Sequence, residues 1–112
     1  MEIAQRTAGK VLIAKTLDHR VDARMASEFK RQLLAVIEAG HPLIALDLSE
    51  VDTIDSSGLG AIVSALKQLQ GRGDLVIVGA QPAVLTLFRL TRMDKVFRMF
   101  ARADEAVAAL SN

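Results

Sequence analysis

Two short segments, Leu43-Ile44-Ala45-Leu46-Asp47-Leu48 and Leu75-Val76-Ile77-Val78, restrict what this chain can fold into more than any other feature. Each is too short and too uniformly apolar for a surface helix, so each reads as a strand covered on both faces. Covering both faces takes helices, and the chain supplies them between the strands. From Asp22 to Ala39 the apolar residues Met25, Phe29, Leu33, Val36 and Ile37 recur at a spacing that gathers them on one helical face. Gly40 stops that helix, Pro42 cannot continue it, and His41 is expected to cap its end. A second helix is expected from about Ser57 to Gln70, with Leu59, Ile62, Val63, Leu66 and Leu69 inward, ended by Gly71-Arg72-Gly73-Asp74. Gln81-Pro82 opens a third helix through Leu90, and a last one spans about Asp104 to Leu110.

The remaining strand signals lie at the two ends. Val11-Leu12-Ile13-Ala14 pairs with a weaker strand around Ile3 as a hairpin, and Val96-Phe97-Arg98-Met99 predicts a short edge strand. Strands alternating with helices imply right-handed crossovers, hence an α/β domain with a mixed central sheet of about four to five strands and about four helices packed on it. The run from Leu43 to Leu48 belongs at its centre. No repeat, linker or low-complexity tract divides the chain, so residues 1–112 are read as one domain.

Composition narrows the function classes. A chain of 112 residues can bury about two-thirds of its unfolded surface, and its 51% apolar and 24% charged residues are ordinary for a globular protein. Lysine plus arginine number 14 against 13 aspartate plus glutamate, with no long block of either sign, so nucleic acid is not an expected partner. The absence of cysteine removes disulfides and thiolate chemistry and is compatible with a reducing cytosol. Met1-Glu2-Ile3-Ala4-Gln5-Arg6 has no charged head followed by an apolar stretch, and no apolar run approaches the length that crosses a bilayer. A cytoplasmic location without a membrane partner is the expectation. Phe29, Phe88, Phe97 and Phe100 are read as core, and Met25, Met93 and Met99 as filler or adaptable surface.

Chemistry concentrates between the central strand and the second helix, in Val51-Asp52-Thr53-Ile54-Asp55-Ser56-Ser57-Gly58-Leu59-Gly60. The carboxyl end of a central strand, followed by a helix amino terminus, is where α/β folds place ligands and modified groups. Asp55, Ser56 and Ser57 can each cap a helix, and one such cap contributes about 1 kcal/mol. One cap needs one oxygen, however, and three capping residues stand in a row. Gly58 and Gly60 in the first turn each cost roughly 0.5–1 kcal/mol relative to alanine, and small side chains let another backbone, a phosphate or a partner come close. A phosphoryl group on Ser56 would be partly supported by the helix amides and dipole while adding negative charge beside Asp55.

Leu46-Asp47-Leu48, then Ile54-Asp55-Ser56-Ser57-Gly58-Leu59-Gly60, then Leu75-Val76-Ile77-Val78 through Pro82 and Leu87-Phe88 together resemble a STAS domain of the anti-sigma factor antagonist group. The likeness covers nearly the whole chain, and Leu17-Asp18 resembles the upstream acidic loop of that family. It implies a partner-switching cycle. An anti-sigma factor with a histidine-kinase-like ATPase fold would phosphorylate the first serine, Ser56, and a metal-dependent serine phosphatase would reset it. The unphosphorylated domain would bind the anti-sigma factor and release its sigma factor. Asp18 and Asp55 fall on the acidic positions that flank the phosphorylated serine, and Ser57, Gly58, Leu59 and Gly60 on the docking surface. Where the family often has glycine with an acidic residue before the Leu-Asp pair, this chain has Lys15-Thr16.

Other chemistries find little support. An acyl-carrier reading of the Asp-Ser turn requires an acidic all-helical domain, which the strands oppose. A serine hydrolase needs a histidine base, and the two histidines, His19 and His41, sit beside loops. They lack the acidic neighbours of a metal site, and Gly71 and Gly73 have no phosphate-cradling lysine motif, so no metal, cofactor or enzymatic activity is expected. Arg20, Arg24, Lys30 and Arg31 are read as solvent coating of the first helix, and Arg89, Arg92, Lys95, Arg98 and Arg102 as solvated. The alternative to a switch is a non-switching STAS scaffold or transporter-associated module in which Ser56 is only a cap.

Overall fold

In the computed structural model, which describes residues 1–111, the run Leu43–Asp47 forms β4 at the middle of a five-stranded sheet. The strands before it are β1 (Ile3–Ala8), β2 (Val11–Thr16) and the two-residue β3 (Arg20–Val21); those after it are β5 (Thr53–Ile54), β6 (Asp74–Val78) and β7 (Met99–Phe100). The main sheet has the order β1-β2-β4-β6-β7, while β3 and β5 form a separate pair. β1 and β2 are an antiparallel hairpin, and β2, β4, β6 and β7 run parallel. This is the expected mixed sheet. Four α-helices accompany it: α1 (Ala26–Glu38), α2 (Ser56–Leu69), α3 (Pro82–Leu90) and α4 (Ala103–Ser111).

The uniform apolarity of the central strands follows from what covers them. Ile44 and Leu46 of β4, with Leu75 and Ile77 of β6, join Phe29, Leu33, Ile62 and Phe88 of α1, α2 and α3 in one core. On the opposite face Ala45, Val76 and Val78 pack with Ala106 and Leu110 of α4 in a second. Alternate side chains of β4 and β6 thus enter two different layers, and Thr16 of β2 is the one polar residue buried among the described residues.

Several boundaries depart from expectation for identifiable reasons. Asp22 does not begin α1: its Oδ1 accepts from the Arg24 amide at 3.0 Å and its carbonyl from the Met25 amide at 3.1 Å, a turn that competes with the helix. The carboxyl end of α1 is closed by its backbone, with the Ala39 and Gly40 amides donating to the carbonyls of Ala35 and Ile37, rather than by His41. Val96 and Phe97 are not strand. They follow a 3-10 turn, Met93–Lys95, and Phe97 is drawn into the core edge-to-face on Phe88, with ring centroids 5.7 Å apart. Only Met99 and Phe100 pair with β6.

The parallel strands bring the carboxyl ends of β2, β4 and β6 to one edge, where hydrogen bonds join successive loops. The Leu48 amide donates to the Val78 carbonyl at 2.9 Å, and Gln81 Nε2 to the Ser49 carbonyl at 2.7 Å. The site lies along this edge.

A polar knot ties α1 to the amino-terminal segment. Glu28 accepts from the Arg31 guanidinium and from Gln32 Nε2 at 3.0 Å, while Gln32 also donates to the Met1 carbonyl at 3.2 Å. The bonds from Arg31, and next from Gln32, hold the Glu28 carboxyl down from its ordinary 4.5 to about 2. A depressed folded-state pKa contributes stability that is fully present above 4.5 and lost as pH falls through about 2. NMR titration of the Glu28 side-chain carboxyl should therefore give a midpoint near 2, and Glu28→Gln should flatten the fall in stability between pH 4.5 and 2; a midpoint near 4.5 would contradict the knot.

Candidate functional site

The two-residue strands β3 and β5 position the serine turn. They pair in parallel, Arg20 beside Thr53 and Val21 beside Ile54. The His19 carbonyl accepts from the amides of Asp52 and Thr53 at 2.7 and 3.2 Å. Its Nδ1 lies 3.0 Å from the Glu50 carbonyl oxygen and 3.6 Å from Asp52 Oδ2. The loop after β2 and the loop after β4 are therefore joined before the chain reaches Ser56.

Asp55 completes the junction. Its backbone is extended (φ −104°, ψ −177°), and its amide donates to the Val21 carbonyl at 3.2 Å. Oδ1 accepts from the Gly58 amide and Oδ2 from the Ala23 amide, both at 3.0 Å. One carboxylate thus caps α2 and anchors the turn that leads into α1, using both oxygens. The cap is Asp55 and neither serine. Ser56 and Ser57 become the first two residues of α2, one position earlier than expected, and both are exposed. Their hydroxyls lie outside the cap contact, and so do their two backbone amides, orphan donors at the positive end of the helix dipole.

The glycines do different things. A Cβ on Gly58 would stand 2.8 Å from both Ile54 Cγ1 and the Val21 carbonyl oxygen. That carbonyl is held by the Asp55 amide, so it cannot withdraw. Gly58 is thus buried and exists to let α2 close onto the β3–β5 pair. Gly60 is exposed, and a Cβ there would meet nothing within 4 Å. No internal contact of the fold calls for a glycine at Gly60.

The other expected site residues divide in the same way. Leu59 is buried with the core, which leaves Ser56, Ser57 and Gly60 as the open part of the turn. Asp18 is half-buried, its Oδ1 accepting from the Glu2 amide at 2.9 Å, so its carboxylate steadies the start of β1. It precedes the His19 carbonyl that grips the β5 segment, which brings the acidic loop and the serine turn into one structure. Val21 and Ala23 complete the site and were missed by sequence reasoning. A lone valine between Arg20 and Asp22 was their only signal. Among the described residues no cluster of histidine, cysteine, aspartate and glutamate could hold a metal, and no helix is long and apolar enough to cross a membrane.

The glycine contrast gives an expected outcome. Gly58→Ala should lower stability by about 1–3 kcal/mol through overpacking, whereas Gly60→Ala should leave it unchanged or raise it by up to about 1 kcal/mol. Urea unfolding of the two variants measures both, and equal losses would contradict the assignment.

Comparison with known proteins places this geometry. A family model described as the STAS domain matches residues 4–106. BtrV of Bordetella bronchiseptica, provisionally named an anti-sigma factor antagonist, is 32% identical over 90 residues, covering 80% of this chain and 77% of that one. The anti-sigma-B factor antagonist of Listeria monocytogenes is 31% identical over 80 residues, 70% of each chain. The crystal structure of an anti-sigma factor antagonist from Mycobacterium paratuberculosis shares the fold with a TM-score of 0.90 at 22% identity, over 99% of this chain and 94% of that one. The sheet order, the serine turn at the carboxyl edge and the extent of the family match agree: this chain belongs to the STAS domain family.

Proposed function

We propose that this protein is an anti-sigma factor antagonist that works by partner switching, with Ser56 as the phosphorylated residue. The observation that carries the proposal is that Asp55 makes the helix cap, so Ser56 stands exposed at the amino end of α2 with no structural task for its hydroxyl. A hydroxyl that the cap does not use is free to meet a kinase or a partner. The reading is also supported by relatives named for antagonism of anti-sigma factors.

In this reading the unmodified turn docks on an anti-sigma factor that is also a serine kinase of the histidine-kinase-like ATPase fold. Ser57 and Gly60 are part of the contact, and the open space over Gly60 lets the partner's backbone approach the helix closely. Gly58 and Leu59 shape the turn from beneath, while Asp18 and Asp55 provide the acidic flank that the kinase meets. A phosphoryl group on Ser56 would find the free amides and dipole of α2, which lack any acidic residue in the first turn, so the fold would accept it. It would carry up to about two negative charges to a surface that must be desolvated on docking, and binding would fail. A metal-dependent serine phosphatase would restore the turn. The role is binding rather than catalysis, is cytoplasmic, and asks for no cofactor.

Two measurements test this. Incubation with the cognate kinase and ATP, followed by mass spectrometry, should place phosphate on Ser56; a phosphorylated protein with Ser56 unmodified would overturn the assignment. Ser56→Ala should bind the anti-sigma factor as the unmodified chain does and resist release by ATP, while Ser56→Asp should bind at least about tenfold more weakly, roughly 1.4 kcal/mol. Equal affinities would favour a non-switching scaffold or transporter-associated module.

A further inference from the structure

At the far edge of the sheet β7 has no outer neighbour among the described residues. The carbonyls of Arg98 and Phe100 turn inward, accepting from the amides of Ile77 at 3.0 Å and Gly79 at 2.9 Å. In a parallel ladder the intervening residue, Met99, then directs its N–H and C=O outward. Such unpaired groups are a template for another strand unless something covers them. Here they border an open groove of about 530 Å³ between α3 and β7.

The groove has a definite chemistry. Leu85, Val96 and Met99 supply an apolar lining, and Val96 is 53% exposed. Arg89, Lys95 and Arg98 contribute positive charge and Asp94 is the lone acid. Arg98 is engaged by Asp74 at 2.8 Å, which leaves Arg89 and Lys95 as exposed cations without an ion-pair partner among the described residues. A chain of formal net charge +1 thus carries a local positive excess beside its open strand edge.

We propose that the α3–β7 groove is a second protein-binding site, and that its occupant is an extended segment of a partner protein whose every second residue, those sharing one face, is apolar or acidic in turn. The segment adds to β7 as a strand. Met99 pairs its main chain, apolar side chains enter between Leu85 and Val96, and carboxylates meet Arg89 and Lys95. A second copy of this chain is a poor occupant, because the other edge strand of its five-stranded sheet, β1, reads Ile-Ala-Gln-Arg-Thr-Ala and brings an arginine and no acid. The proposal is independent of the role of Ser56, since none of these residues lies in the serine turn.

The test is an amide NMR titration of the full chain with the capped heptapeptide Val-Thr-Glu-Thr-Val-Thr-Glu, whose valines and glutamates share one strand face. Saturable shifts at Val96, Met99 and Ala101, together with slowed exchange of the Met99 amide, are expected. Charge reversal at the exposed positions, Arg89→Glu with Lys95→Glu, should weaken binding at least about tenfold while leaving the rest of the spectrum folded. The same peptide with lysine in place of each glutamate should not bind. The site is overturned by no saturation at about 1 mM peptide, by shifts confined to the start of α2, or by indifference to the charge reversal. Shifts at Met99 that appear on concentrating the protein alone would instead identify a second copy as the occupant and overturn it equally.

Discussion

The arrangement of the serine turn depends on one carboxylate. Asp55 accepts from the Ala23 amide with one oxygen and from the Gly58 amide with the other, while its own amide holds the Val21 carbonyl. Two segments far apart in sequence meet at this residue: β3 with the turn that follows it, and the β5–α2 junction whose first helical turn it caps. Charge-assisted bonds of this kind exceed ordinary amide bonds in strength, and both oxygens are used. The close approach they enforce explains why Gly58 has no side chain. It also explains why Ser56 and Ser57 are left over, since the helix already has its cap.

The sheet provides the platform for this junction. Two buried layers, one against α1, α2 and α3 and one against α4, fix β4 and β6 side by side and leave their carboxyl ends at a common edge. The Gln81 and Ser49 contact closes that edge on the β6 side, as the His19 carbonyl closes it on the β2 side. A rigid base under an exposed hydroxyl is what the proposed switch, a change of charge without a change of fold, would require. The helix dipole and two spare amides can accept an anion there, whereas a partner surface pressed onto the same point cannot.

Most of this frame was legible because it rests on uninterrupted apolar runs and on a helical apolar period. The apolar runs at Leu43–Asp47 and Leu75–Val78 and the spacing of Phe29, Leu33, Val36 and Ile37 are decided by burial, which the sequence records directly. The β3–β5 pair was not legible. Two-residue strands show no alternation, and their pairing is set by where α1 and α2 put the loops. The misplacement of the last strand has a different cause: Val96 and Phe97 look like strand residues, yet Phe97 is held by Phe88 across the core. Within the site, three residues able to cap stood in a row and only the backbone geometry chose among them. Gly58 and Gly60, alike in sequence, separate once the Val21 carbonyl is seen beneath one and open space above the other.

The central claim is that the fold does not need the Ser56 hydroxyl. Equilibrium urea unfolding of Ser56→Ala against the unaltered chain tests it most directly. The account predicts a stability change within about 0.5 kcal/mol, as for a surface substitution that touches nothing structural. A loss of about 1 kcal/mol or more, the size expected when a helix cap is removed, would show that Ser56 and not Asp55 holds the start of α2, and would contradict it.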